Sequence, residues 1–160
     1  MDITFRQNLI PADRDGIREV LESTDFFYDY EVKVALEIFD DFLRFPERNE
    51  YYFIIAEQGG RIIGYVNFGP SPCTQSSWDI FWIAVRKDIR NNGLGKNLLK
   101  QAESFIKTME GVNIWVETSG RKSYDPTRGF YLKSGYVVET ELKDYYAPGD
   151  NKVIFHKILP

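Results

Sequence analysis

The chain has 160 residues, 43% of them hydrophobic and 28% charged, with a net charge of −4. That length predicts one domain with a substantial core, and the mildly acidic balance without a Lys/Arg block argues against a nucleic-acid backbone as partner. No apolar run approaches the roughly 20 residues of a membrane span, Met1-Asp2-Ile3-Thr4 lacks the opening of a secretion signal, and single residues Cys73 and His156 offer neither an internal disulfide nor a metal cluster. The expectation is a cytoplasmic, metal-free protein.

In chain order, residues 3–7 alternate as an opening strand. Residues 11–23 predict a helix with Ile17, Val20 and Leu21 inward and with Asp13 and Asp15 near its positive N-terminus. A second helix is expected over 31–43, where Val34, Ile38 and Phe42 recur near helical spacing and Pro46 stops the chain. Residues 51–57 and 61–68, separated by Gln58-Gly59-Gly60, carry a hairpin signal. After a Pro-flanked loop at 70–74, residues 78–85 form a central strand.

The segment 83–99 then places Ile83-Ala84-Val85, a charged loop and Gly93-Leu94-Gly95 directly before an amphipathic helix. Glycines without Cβ let a bulky group approach the backbone. The first helical turn offers amide groups without intrahelical acceptors, in the positive field of the peptide dipoles, and Arg90 and Lys96 add fixed charge. This order suits a phosphate or pyrophosphate. A Walker A loop is excluded because Arg90 and Asn97 stand where it needs Gly and Ser or Thr; a dinucleotide fingerprint is excluded because Leu98 replaces its third small residue. Leu94, Leu98, Ala102, Phe105 and Met109, widened by Leu99 and Ile106, form the inner stripe of the following helix, with Gly111 as its expected end. Residues 112–117 predict a strand, 126–134 a helix, and 136–142 with 153–158 an antiparallel pair. Hairpins mixed with strand–helix–strand crossovers predict an α+β sandwich around a mixed sheet.

The series Arg90-x-x-Gly93-x-Gly95 after Asp79-Ile80-Phe81-Trp82-Ile83-Ala84-Val85 resembles the acetyl-CoA-binding motif of the GNAT superfamily of N-acetyltransferases. Gly129-Phe130-Tyr131-Leu132-Lys133-Ser134-Gly135-Tyr136 is similar to that family's FYxxxGF segment, with Tyr136 in place of the usual Phe. The resemblance implies a single N-acetyltransferase domain over 1–160: an α+β fold whose mixed, mostly antiparallel β-sheet is flanked by helices on both faces, a three-layer α/β/α sandwich. The implied activity is direct transfer of the acetyl group of acetyl-CoA to a primary amine of a small molecule or a protein or peptide N-terminus. A non-catalytic acyl-CoA sensor and an acyltransferase using a longer acyl-CoA stand as alternatives.

By the same resemblance, Tyr131 is the acid that reprotonates the departing thiolate, and Glu117 or Asp79 is the base that deprotonates the amine. The amides of Ile83, Ala84 and Val85 face the thioester and pantetheine. Arg90, Asn91, Asn92, Gly93, Leu94, Gly95 and Lys96 hold the pyrophosphate. The Asn that often contacts pantetheine is missing, leaving Tyr124 or Ser123 to substitute, and Lys122 or Arg128 to reach the CoA phosphates. For the acceptor, aromatic and acidic residues over 26–31 and the pair Tyr145-Tyr146, placed between the last two strands, suit an ammonium group. A homodimer through the strand at 136–142 or the last strand is consistent with the family.

Overall fold

The computed structural model describes residues 2–160, so Met1 of the opening segment lies outside the described residues. The elements are β1 (Ile3–Arg6), α1 (Asp13–Ser23), α2 (Asp29–Arg44), β2 (Tyr52–Gln58), β3 (Arg61–Pro70), β4 (Ser77–Val85), α3 (Leu94–Thr108), β5 (Asn113–Ser119), α4 (Asp125–Lys133), β6 (Val137–Ala147) and β7 (Asp150–Ile158). They group into two compact units. One contains the residues up to Gly69 with Trp82–Phe105, the other Pro70–Phe81 with Ile106–Pro160.

In the first unit the hydrogen-bonded order is β1-β2-β3-β4, with β1 and β3 both antiparallel to β2. Phe53 and Ile55 of β2 and Tyr65 of β3 join Ile17, Val20, Leu36 and Phe39 of α1 and α2 in one buried cluster. The alternate face of β3 meets α3: a Cβ on Gly64 would lie 3.3 Å from Leu98 Cδ1 and 3.4 Å from Leu94 Cδ2. Covered on both faces, β2 reads as a continuous apolar run rather than an alternation.

Arg6 ties three elements together, donating to both carboxylate oxygens of Asp13 at 2.6 and 2.9 Å and to Glu57 at 2.7 Å. Asp13 also accepts the Ile10 amide at 2.8 Å. It is therefore a buried joint of this unit as well as a charge near a helix end. The second helix is longer than 31–43 because Tyr28 caps it, its amide donating to the Glu31 carboxylate at 2.6 Å. Its buried stripe is Val32, Ala35, Leu36 and Phe39; Val34 is 46% exposed, and Ile38 and Phe42 pack only at the margin.

In the second unit the order is β4-β5-β7-β6. Ser77–Ile80 run parallel to Asn113–Val116, β7 is antiparallel to β5 along its length, and β6 is antiparallel to β7. Tyr131 anchors α4 here, its ring 5.5 Å from Tyr136 and 5.7 Å from Phe155.

Three expectations need correcting. The chain reversal after α3 is made by Glu110, at φ 61°, and not by Gly111. Gly111 is required by packing instead: a Cβ there would fall 2.3 Å from Ile106 Cγ2 and 2.7 Å from Trp78. Met109 lies beyond the helix and is half exposed. Tyr145 and Tyr146 are not in a connecting loop, since β6 continues to Ala147 through a register shift between Leu142 and Ala147.

Candidate functional site

The sequence-derived candidates fall in both units and are taken unit by unit. In the first, the chain leaves β4 through a short 3-10 turn at Lys87–Ile89, and Asn91 and Gly93 take φ of 71° and 75°. Those left-handed backbones suit Asn and Gly among few residue types. The first bond of α3 runs from the Asn97 amide to the Gly93 carbonyl at 3.0 Å. The amides of Leu94, Gly95 and Lys96 therefore precede the helix's own acceptors, at the positive end of a 15-residue helix. Arg90, Asn91, Asn92 and Lys96 are exposed around this turn. Leu94 differs in that its side chain is buried, so only its backbone is available. Acceptor-free amides, a helix N-terminus and two flanking cations are the chemistry that suits a diphosphate. On β4, Ala84 is buried and Ile83 and Val85 are half-buried. A Cβ on Gly64 would stand 3.0 Å from the Ala84 carbonyl, so β3 closely backs this strand.

In the second unit, Asp79 of β4 lies in register with Trp115 of β5, and Glu117 stands two residues further along β5. Strand alternation puts all three on one face. Burial pushes the Asp79 carboxyl above its ordinary range; the Ser71 hydroxyl, donating at 2.7 Å, opposes this, and the nearby charge of Glu117 adds to it. Glu117 pairs with the Lys152 ammonium at 2.9 Å. Burial alone would lower Lys152, but hydrogen bonds to Glu117 and Tyr145 leave it above the ordinary lysine value. The β4–β5 pairing ends at Ile80 and Val116, whereas Glu117, Thr118 and Ser119 still pair with β7.

Tyr131 is 3% exposed on α4. It packs on Phe155, the cross-strand partner of Val116, so its ring lies on the sheet face opposite Glu117. Burial first, and then Tyr124, push its phenol above the ordinary tyrosine value, so it is protonated at neutral pH. Tyr124 is itself buried, with the Arg121 guanidinium 4.7 Å over its ring. The buried Thr118 hydroxyl has no hydrogen-bond partner among the described residues.

Other expected contributors are placed differently. Arg128 donates to the Ser119 and Arg121 carbonyls at 2.6 and 3.1 Å and to Asp125, which makes it a brace of the loop before α4. Lys122 and Ser123 are exposed. Of the aromatic residues over 26–31, Phe27 packs on Trp82 at 5.2 Å, and Tyr28 and Tyr30 stack at the surface. His156 stacks on Trp115 at 4.1 Å and meets Asn113 at 2.8 Å. Sequence reading missed Lys152 and Ser71. The one signal for the former was a lysine directly before the apolar run Val153-Ile154-Phe155. Among the described residues, no group of three or more His, Cys, Asp or Glu side chains is arranged to hold a metal ion, and no helix is long and apolar enough to cross a membrane.

A model of the acetyltransferase (GNAT) family matches residues 17–136. An uncharacterized N-acetyltransferase of Methanocaldococcus jannaschii is 30% identical over 108 residues, covering 68% of this chain and 67% of that protein. The crystal structure of a GNAT-family protein from Desulfovibrio desulfuricans, 36% identical, superposes with a TM-score of 0.95 over 98% of this chain and 99% of that one. The PaiA N-acetyltransferase of Thermoplasma acidophilum, solved in complex with coenzyme A, shares the fold with a TM-score of 0.74 at 16% identity, over 99% and 100% of the two chains. The mixed, mostly antiparallel sheet with its helices is the architecture of these neighbours, and the chain belongs to the GNAT family of acetyltransferases.

Proposed function

We propose that the chain is one acetyl-CoA-dependent N-acetyltransferase domain, transferring the acetyl group directly to a primary amine of a small molecule or a protein or peptide N-terminus. The observation that carries this reading is the turn of Arg90 to Lys96: a left-handed Gly93, three acceptor-free amides and two flanking cations, in a chain of this family. Coenzyme A, present in the structure of the Thermoplasma acidophilum neighbour, has the diphosphate this cradle fits. In this reading the amides of Ile83, Ala84 and Val85 take the pantetheine and thioester, and Tyr124 stands in for the missing Asn.

A protonated amine has no lone pair, so a base must act before attack. Glu117 takes that part, because its carboxylate already accepts a hydrogen bond from an ammonium at 2.9 Å. Asp79 is the second carboxylate on the same face. Tyr131, a phenol protonated at neutral pH and made harder to ionise by burial, supplies the proton to the departing thiolate. Calorimetric titration with acetyl-CoA and with CoA, followed by thiol release over a panel of amines and N-terminal peptides, tests the reading. Binding of both ligands and release with one acceptor class is expected; absence of binding would overturn it.

A further inference from the structure

The proposed base already holds an amine, and that amine belongs to the chain. Lys152 lies on β7 opposite Ser119 of β5 and Leu142 of β6, and is only 7% exposed. Its Nζ is 2.9 Å from Glu117 Oε2, 3.6 Å from the centre of the Tyr145 ring and 5.6 Å from that of Tyr146. A carboxylate with aromatic faces is the environment an acceptor ammonium requires, and 2.9 Å lies within the reach a general base needs. The Lys152 side chain is 9% exposed and that of Glu117 55%, so the ammonium is covered while the carboxylate it pairs with stays open to solvent.

The cover over this nitrogen is an irregular stretch of β6. Pairing of β6 with β7 runs from Leu142↔Lys152 directly to Ala147↔Asp150, so residues 143–146 stand outside the ladder, with Asp144 at φ 53°. Tyr145 and Tyr146, half exposed, sit in that segment. The Asp144 amide ties this segment to the Asn151 side chain of β7 at 2.9 Å, so uncovering Lys152 requires rotation of the two tyrosine side chains and loss of the Tyr145–Lys152 hydrogen bond.

We propose that Lys152 is a self-acetylation site, with an acetyl thioester of CoA as donor; this rests on the function proposed above. Glu117 takes a proton from the ammonium, the freed Nζ lone pair attacks the thioester carbonyl, a C–N bond forms and the C–S bond breaks. Of the two protons the nitrogen gives up, one ends on the CoA sulfur and one in solvent. The products are an amide and a free thiol. The amide has no charge to pair with Glu117, so the carboxylate and the two rings become available to an external ammonium. Unmodified protein is thus occupied by its own lysine, and modified protein is open to its acceptor.

The test uses the whole chain with acetyl-CoA and no added amine. Acetyl occupancy at Lys152 is followed by intact mass and peptide mapping, from the protein as purified onward, beside the amine panel. Expected is one acetyl group at Lys152, loss of the label in Lys152→Arg, and labelling roughly a hundredfold slower in Glu117→Gln. A lag in amine-dependent thiol release, removed by preincubation with acetyl-CoA, would add support. Thiol release to external amines with Lys152 never acetylated overturns the proposal and leaves the enzyme reading intact. Undiminished labelling of Glu117→Gln also overturns it, as reaction from bulk solution. Failure to bind acetyl-CoA or CoA overturns both.

Discussion

Gly111→Ala isolates a packing constraint that backbone conformation does not explain. The added methyl would sit 2.3 Å from Ile106 Cγ2 and 2.7 Å from Trp78 Cδ1 and Nε1. Ordinary carbon contacts begin near ~3.5 Å. Both neighbours are buried, Ile106 at 0% and Trp78 at 5% exposure, so neither can turn aside into solvent. Overpacking of this kind costs about 1–3 kcal/mol, and an overlap of more than an ångström places this site at the upper end. Against it stands the reduced freedom of the unfolded chain, worth about 0.4–1 kcal/mol. The net expectation is a loss of about 2 kcal/mol, or a fall in Tm of roughly 4–8 °C for a chain this size. Urea and thermal unfolding, monitored by Trp fluorescence, measure it. A loss below about 0.5 kcal/mol, or a gain, would refute the packing argument.

Tyr65→Phe removes a buried hydroxyl without a hydrogen-bond partner among the described residues, so urea unfolding should show stability unchanged or raised by about 1 kcal/mol. Asp79 is held above its unfolded-state value of about 3.9: the native state keeps a proton that the unfolded state releases, so this group's contribution falls as pH rises from the unfolded to the folded pKa. Asp79→Asn, which still accepts from Ser71, should therefore be more stable than the parent at pH 7 and no more stable at the acid end of the range, as read from paired urea titrations. Tyr131→Phe should cut thiol release by about 10–100-fold with acetyl-CoA affinity unchanged, and should leave the tyrosinate absorbance titration the same up to pH ~10, because burial holds Tyr131 protonated there. Gly93→Ala meets no neighbour but must hold φ 75°, costing about 1–2 kcal/mol; calorimetry should show weakened acetyl-CoA binding.

Much of the candidate site was legible because its signals are local. A left-handed Gly93 before an amphipathic stripe is written within a dozen residues, and the helix that follows carries its own periodicity. The same locality misled at the end of that helix, where a glycine looks like a reversal. Glu110 reverses the chain and Gly111 is small for the sake of Trp78, which no window around 111 contains. The bracing of Arg128, offered with Lys122 to the CoA phosphates, is invisible in the sequence because its acceptors are carbonyls, and every residue has one.

Element types, their order and the glycine turn before α3 are consequences of spacing along the chain, because hydrophobic period, capping and turn chemistry act over a few residues, whereas Tyr131, Glu117 and Asp79 became candidates through the resemblance of their segments to the family. The pairing of Lys152 with Glu117, the cover of Tyr145 and Tyr146, and the burial that raises the Tyr131 phenol were decided by strand register and packing. Register brings β7 against β5 across a long interval of chain. Charge and desolvation act through space, so which carboxylate holds an ammonium, and which phenol loses its water, exist as properties only once the strands are paired.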